Sequence, residues 1–118
     1  MTSLVDTPWR NKFRAKRTTV NGKSFPSKAE ARAYQELLIL ERAGKVNAIV
    51  CQHPFFLHTT GLDGIKRKLG THRVDFSYWD CERKERRFLE VKGIDLALGK
   101  WKRRHAEGEY GIKIELRR

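Results

Sequence analysis

The sequence predicts an α/β domain: a mixed β-sheet flanked by helices and preceded by a small N-terminal hairpin. Three observations predict it. A capped amphipathic helix lies early in the chain, two neighbouring strands with period-two patterning lie in the middle, and a weakly amphipathic helix leads into a short last strand. The 118 residues are the length of one domain. A hydrophobic content of 39% supplies a core, so wholesale disorder is excluded. Lys plus Arg number 26 against 14 Asp plus Glu, a formal net charge of +12 that points to a polyanionic partner, nucleic acid first. No apolar run approaches the roughly 20 residues that cross a bilayer. The N-terminus lacks the apolar stretch of a secretory signal. The expectation is a cytoplasmic protein with reduced thiols at Cys51 and Cys81.

The elements follow in order. Residues 1–17 read as a mobile basic arm carrying Arg10, Lys12, Arg14, Lys16 and Arg17, and residues 18–118 as the folded domain. Asn21-Gly22 predicts a tight hairpin over about 17–25, because both central turn positions need positive φ. Ser27 with Glu30 three residues later makes a capping box, and Gly44 a stop, for a helix over about 28–43. VNAIVCQHPFFLHT reads as a strand interrupted near Pro54, which cannot donate to a ladder. GLDGIKRKLG reads as a polar loop. Strands follow at 73–79 and 86–92, joined by a four-residue loop from Cys81 to Lys84. LALGKWKRRHAEGEY reads as a helix, weakened by Gly99, and GIKIELRR as the last strand. The second helix then makes a crossover between parallel strands.

The central hairpin carries the chemistry. If Phe76 faces Leu89, then Asp75 faces Glu90 and Val74 faces Val91. Alternation then places Val74, Phe76, Leu89 and Val91 on one face, and Arg73, Asp75, Ser77, Phe88, Glu90 and Lys92 on the other. Two close carboxylates repel and call for a cation, and hard oxygen ligands suit Mg²⁺ beside a phosphate. A lysine two residues from a ligand can orient water or offset charge on phosphorus. Alternation fits equally well a solvated face with cross-strand ion pairs. A zinc site from Cys51, His53, His58 and Cys81 lacks the usual paired spacing.

Asp75 followed by Glu90-Val91-Lys92 on the next strand resembles the PD-(D/E)XK nuclease superfamily. The closer likeness is to small phage and prophage endonucleases, similar to Holliday junction resolvases. It rests on Ser27-Lys28-Ala29-Glu30-Ala31, Ala43-Gly44, Gln52 with Pro54, Asp75 and Glu90-Val91-Lys92-Gly93, and covers about 18–116. Val74 stands where the motif's name has proline, and His53 separates Gln52 from Pro54. The resemblance implies a restriction-endonuclease-like core and cleavage of DNA phosphodiesters with Mg²⁺, or Mn²⁺ in its place. It implies Asp75, Glu90 and the Val91 carbonyl as metal ligands, Lys92 as the group that activates water or stabilises charge, and Glu30 in support. Branched DNA, a homodimer with two active sites and a host cytoplasm for a phage protein follow from the same likeness. The alternatives are a nicking or structure-selective nuclease, a non-catalytic nucleic-acid-binding module, and a basic accessory protein.

The remaining basic residues read as phosphate contacts, which position DNA without reading it: the arm, then Lys66, Arg67 and Lys68, then Lys100, Lys102, Arg103 and Arg104. Trp101 reads as core packing. His72 and His105 are candidate auxiliary bases without a partner visible in the sequence.

Overall fold

The computed structural model describes residues 17–118. The chain divides into two compact units at Glu36/Leu37. In the first, β1 (Thr18–Val20) and β2 (Lys23–Phe25) pair antiparallel. Asn21 (φ 51°) and Gly22 (φ 80°) turn the hairpin in the left-handed conformation that this pair tolerates. The Phe25 and Tyr34 rings lie 5.1 Å apart, and both residues are buried. Tyr34 belongs to α1 (Lys28–Arg42), which begins where Ser27 Oγ accepts the Glu30 N–H at 3.1 Å. The helix ends in the second unit on Gly44 (φ 76°), with Gly44 N–H donating to the Glu41 carbonyl and Lys45 N–H to that of Leu40, the paired bonds of a Schellman cap.

The rest of the second unit is a four-stranded mixed sheet in the order β3-β4-β5-β6, with one helix between its last two strands. The strands are β3 (Val46–Thr60), β4 (Lys66–Asp80), β5 (Glu85–Val91) and β6 (Ile114–Arg117), and the helix is α2 (Ala97–Tyr110). The first three strands are antiparallel, and β6 joins β5 in parallel. The element order and the Cys81 to Lys84 connection are those expected. The interruption at Pro54 is not. Pro54 pairs with Arg73 inside a continuous strand, and the register shifts fall at Asn47/Val50 and Leu57/His58. β3 is an edge strand, where a missing N–H need cost no ladder bond. The expected polar loop also shrinks. Lys66 to Gly70 continue β4, and only residues 61–65 turn, closed by the Gly61 N–H donating to the Ile65 carbonyl at 3.0 Å.

One part of this unit's core lies on the face of the sheet under α2; Phe76 and Leu89, each 1% exposed, are buried as well. Phe55, Leu57, Val74, Phe88, Ile114 and Ala106 of the helix form one buried cluster. Ala106 is fully buried, so the helix backbone approaches the strands closely there. Polar bonds fix its far end: the Tyr110 hydroxyl donates to the Phe56 carbonyl (2.7 Å), and Glu109 Oε1 accepts the His58 N–H (2.7 Å). Gly111 (φ 64°) then ends the helix.

Candidate active site

Phe76 does face Leu89, and Ser77 faces Phe88. The two faces drawn by simple alternation do not persist, however. Val74 packs with Phe88 in the core cluster, although strict alternation would put them on opposite sides. Directly paired residues share a face, so Ser77 and Val74 lie on the α2 side with two residues, not one, between them. His53, the partner of Val74, accordingly reaches Ser77, Nδ1 to Oγ at 3.0 Å. The break falls at the level of Gln52, which adopts φ 56° in β3, and Asp75. Beyond it the β4–β5 ladder stops, Phe76 and Leu89 being its last pair.

Asp75 occupies this break. Its Oδ2 accepts the Val91 N–H at 2.7 Å, so a side chain takes the place of a ladder bond, and its Oδ1 accepts from Gln52 Nε2 at 3.4 Å. Burial pushes its carboxyl above the usual range. The Val91 N–H, Lys92 and Gln52 oppose that shift, while the charge of Glu90 adds to it.

Glu90 is 1% exposed and points toward α2. Its Oε1 is hydrogen-bonded to Nε2 of His72, also buried, and its Oε2 lies 3.4 Å from Arg103 Nη1. A carboxylate can only accept, so His72 carries its proton on Nε2. Arg103 in turn grips Asp95 with both nitrogens, at 2.6 and 3.1 Å. This fork holds the Asp95 carboxyl below its usual range. Lys92 follows directly, its N–H donating to the Arg117 carbonyl at 2.8 Å, which extends the β5–β6 pairing past Val91. Asp75, Glu90, Val91 and Lys92 therefore converge where β4 and β5 part.

The sequence profile of one family matches residues 10–116. The chain belongs to the DUF1064 family, proteins of unknown function. No curated protein and no solved structure matches it.

The other predicted residues fall in different places. Glu30 lies in the first unit, on the first turn of α1. Arg103 departs from the phosphate-contact reading: its side chain is 12% exposed and engaged with Asp95 and Glu90. Arg67 is tied to Asp63 across the turn at 2.6 Å. Lys66 lies 3.8 Å from Glu109, and Lys68 Nζ rests 4.6 Å from the Phe56 ring centroid. Lys100 and Arg104 are exposed. Arg17 Nε donates to Ser24 Oγ in the hairpin at 2.9 Å. Arg10, Lys12, Arg14 and Lys16 lie outside the described residues. Trp101 is 62% exposed and so does not serve as core. His105 has partners after all, the His58 carbonyl (2.9 Å) and Glu109 (3.4 Å). Cys51 and Cys81 form no disulfide. Gln52 and His72 are the site residues whose roles the sequence did not reveal: Gln52 stood out only through the nuclease resemblance, and His72 only as a candidate base without a partner.

Among the described residues, no group of three or more His, Cys, Asp or Glu side chains stands at metal-holding spacing. Asp75 and Glu90 supply hard oxygen donors, which would suit a divalent ion that keeps most of its waters rather than one caged by protein ligands. The Asp75 carboxyl suits such an ion: it is disfavoured as an anion by burial and by Glu90, a condition that a cation relieves.

Proposed function

We propose that the chain is a Mg²⁺-dependent endonuclease that hydrolyses DNA phosphodiester bonds. The observation that carries this reading is Asp75 at the end of the β4–β5 ladder, bound to the Val91 N–H with Glu90 and Lys92 alongside. Asp75 would hold the ion, with Glu90 and the Val91 carbonyl as further ligands. Glu90 would do so through Oε2, whose contact with Arg103 is long at 3.4 Å. Bound there, the ion would make a water more acidic and supply counter-charge to the phosphate. The chain's own groups do the rest. The Val91 N–H fixes the Asp75 carboxylate, His72 and Arg103 hold Glu90, and the Lys92 ammonium orients the attacking water or offsets charge developing on the phosphate. Glu30 enters this reading from the family resemblance alone and is not among the residues whose geometry carries it. The net charge of +12 supplies the attraction to DNA.

The substrate on this reading is branched DNA, cut symmetrically by a homodimer in the cytoplasm, that of the host if a phage encodes the protein. No helix among the described residues is long and apolar enough to cross a membrane. One observation favours a second reading, a non-catalytic nucleic-acid-binding module: both carboxylate oxygens of Glu90 are already engaged, Oε1 by His72 and Oε2 by the Arg103 guanidinium.

Labelled four-way junction, linear duplex and single strand, each incubated with Mg²⁺ and with chelator and resolved on a gel, separate the readings. The nuclease cuts only with metal, and Lys92→Ala abolishes the cut while DNA binding persists. Full activity in that variant would remove the lysine from the mechanism. Binding with no cleavage under any condition would leave the module.

A further inference from the structure

Beyond Lys92 the chain exposes apolar side chains where a soluble surface ordinarily would not. Ile94 is 78% exposed, Leu96 70% and Leu98 69%. They are not exposed because the segment is loose. Between Ile94 and Leu96, the Asp95 side chain is only 4% exposed and is clamped by the two-pronged bond from Arg103. The loop is thus fixed from beneath while its apolar side chains stay in water. They line a depression of about 500 Å³ together with three cations, Arg73, Lys92 and Lys102, and with Asp95, whose charge Arg103 already engages. The apolar strip continues along α2: Trp101 lies one turn from Leu98, 62% exposed, its ring 5.9 Å from that of His105.

This mixture selects its partner. Lysine is depleted at protein interfaces, so Lys92 and Lys102 among the apolar groups argue against a protein. A fully paired duplex offers phosphate to the cations but hides its bases from the apolar side chains. An unpaired strand offers both, phosphates at regular spacing and bare base faces that stack on aromatic or aliphatic surfaces. We propose that this ridge seats the unpaired nucleotides at a junction between duplex and single strand, with their phosphates on Arg73, Lys92 and Lys102 and their bases on Ile94, Leu96, Leu98 and Trp101. This rests on the nuclease reading only in placing the unpaired strand next to the scissile phosphate at Lys92. It narrows the substrate class to DNA with an unpaired segment beside the cut.

The test is binding in chelator, measured by fluorescence anisotropy on two labelled probes, a blunt duplex and the same duplex forked at one end. Charge alone favours the blunt probe, because a duplex carries the higher charge density. The wild-type chain binds the fork more tightly by about fivefold or more, the equivalent of one stacked base. The triple variant Leu96→Ser, Leu98→Ser, Trp101→Ala loses that preference. Its substitutions lie at exposed positions, and its thermal melt checks that it still folds. Leu62→Ser, a fully exposed leucine in the turn between β3 and β4, retains the preference. Equal affinity of wild type for the two probes overturns the proposal, as does a preference that survives in the triple variant. A wild-type dimer that the triple variant converts to monomer, with no loss of fork preference, also overturns it and assigns the ridge to contact between copies. A fork preference that depends on the ridge in a protein that never cleaves with Mg²⁺ sustains the ridge and removes the nuclease reading.

Discussion

Asp75 accepts a backbone N–H on one oxygen and an amide N–H on the other. Asparagine can meet both demands. Its carbonyl oxygen accepts the Val91 N–H, and its NH₂ donates to Gln52 once that amide turns its oxygen inward. Asp75→Asn therefore keeps the local bonds and removes the charge. Cleavage with Mg²⁺ is lost, because a hard anionic ligand is gone. Binding in chelator tightens several-fold, since a charge pair at about 4 Å is worth roughly 1–4 kcal/mol between water-like and surface-like dielectric limits. Anisotropy in chelator and a cleavage gel in Mg²⁺ measure the two halves, and retained cleavage would sink the assignment of the site. Asp75, Glu90 and Lys92 were legible as residues because their spacing and their placement on consecutive strands survive small errors of register. Their partners were not. His72 reaches Glu90 only because alternation breaks between Val74 and Ser77, and no residue type announces that break. Arg103 could be recognised as basic and helical, but its inward turn depends on Asp95, eight residues earlier on a loop whose path the sequence does not specify.

Elements with local signals were the easiest to read. The Asn21-Gly22 turn, the Ser27 cap and Gly44 each act through backbone conformation within a few residues. The outer part of the β3–β4 ribbon has no such signal. Lys66 to Lys68 pair with His58 to Thr60 through the backbone while their side chains remain in solvent, so no apolar alternation reveals the strand. The packing of α2 gives a prediction at this scale. Ala106→Leu forces a larger side chain against Val74 and Phe55, where no exposed surface is left, and destabilises by about 1–3 kcal/mol. The melting temperature drops by roughly 4 °C per kcal/mol; an unchanged melt would show that the helix rides above the sheet without close contact. The β4–β5 turn gives another. Asp80 Oδ1 accepts the N–H groups of Glu82 and Arg83, both at 3.0 Å, and the Arg83 bond is the chief reason that its carboxyl is held below the usual range. A depressed acid contributes stability above its unfolded value, here 3.8, and loses it as pH falls through the folded value. Asp80→Asn therefore melts lower than wild type at neutral pH, and the gap closes as acid titrates the wild-type carboxylate. A gap of constant size down to strong acid would show that the charge contributes nothing to the turn.

At the scale of the molecule, the charge balance was fully legible and the division of labour among its cations was not. The structure places Arg103 in a buried network, ties Arg67 to Asp63 and sets Lys66 near Glu109. Each of these has an acidic partner, which lowers its value as a phosphate contact. Lys102 shares its depression with Arg73, Lys92 and Asp95, the last already held by Arg103, while Lys100, whose charge is felt at Asp95, and Arg104 are exposed on α2. The basic N-terminal segment adds Arg10, Lys12, Arg14 and Lys16 with a single acid, Asp6. If those cations meet the DNA backbone, they contribute affinity by releasing counterions and take no part in hydrolysis. Deleting residues 1–16 should then weaken DNA binding at low salt and flatten the dependence of log affinity on log salt by about 0.9 for each phosphate contact removed from duplex DNA. The rate of cleavage at saturating DNA should stay unchanged, because the deletion removes none of Asp75, Glu90 and Lys92. Binding isotherms over a salt series, with single-turnover cleavage at saturation, measure the two quantities separately. An unchanged slope would show that the segment does not touch the backbone, whereas a fall in the saturated rate would place part of it at the reacting phosphate.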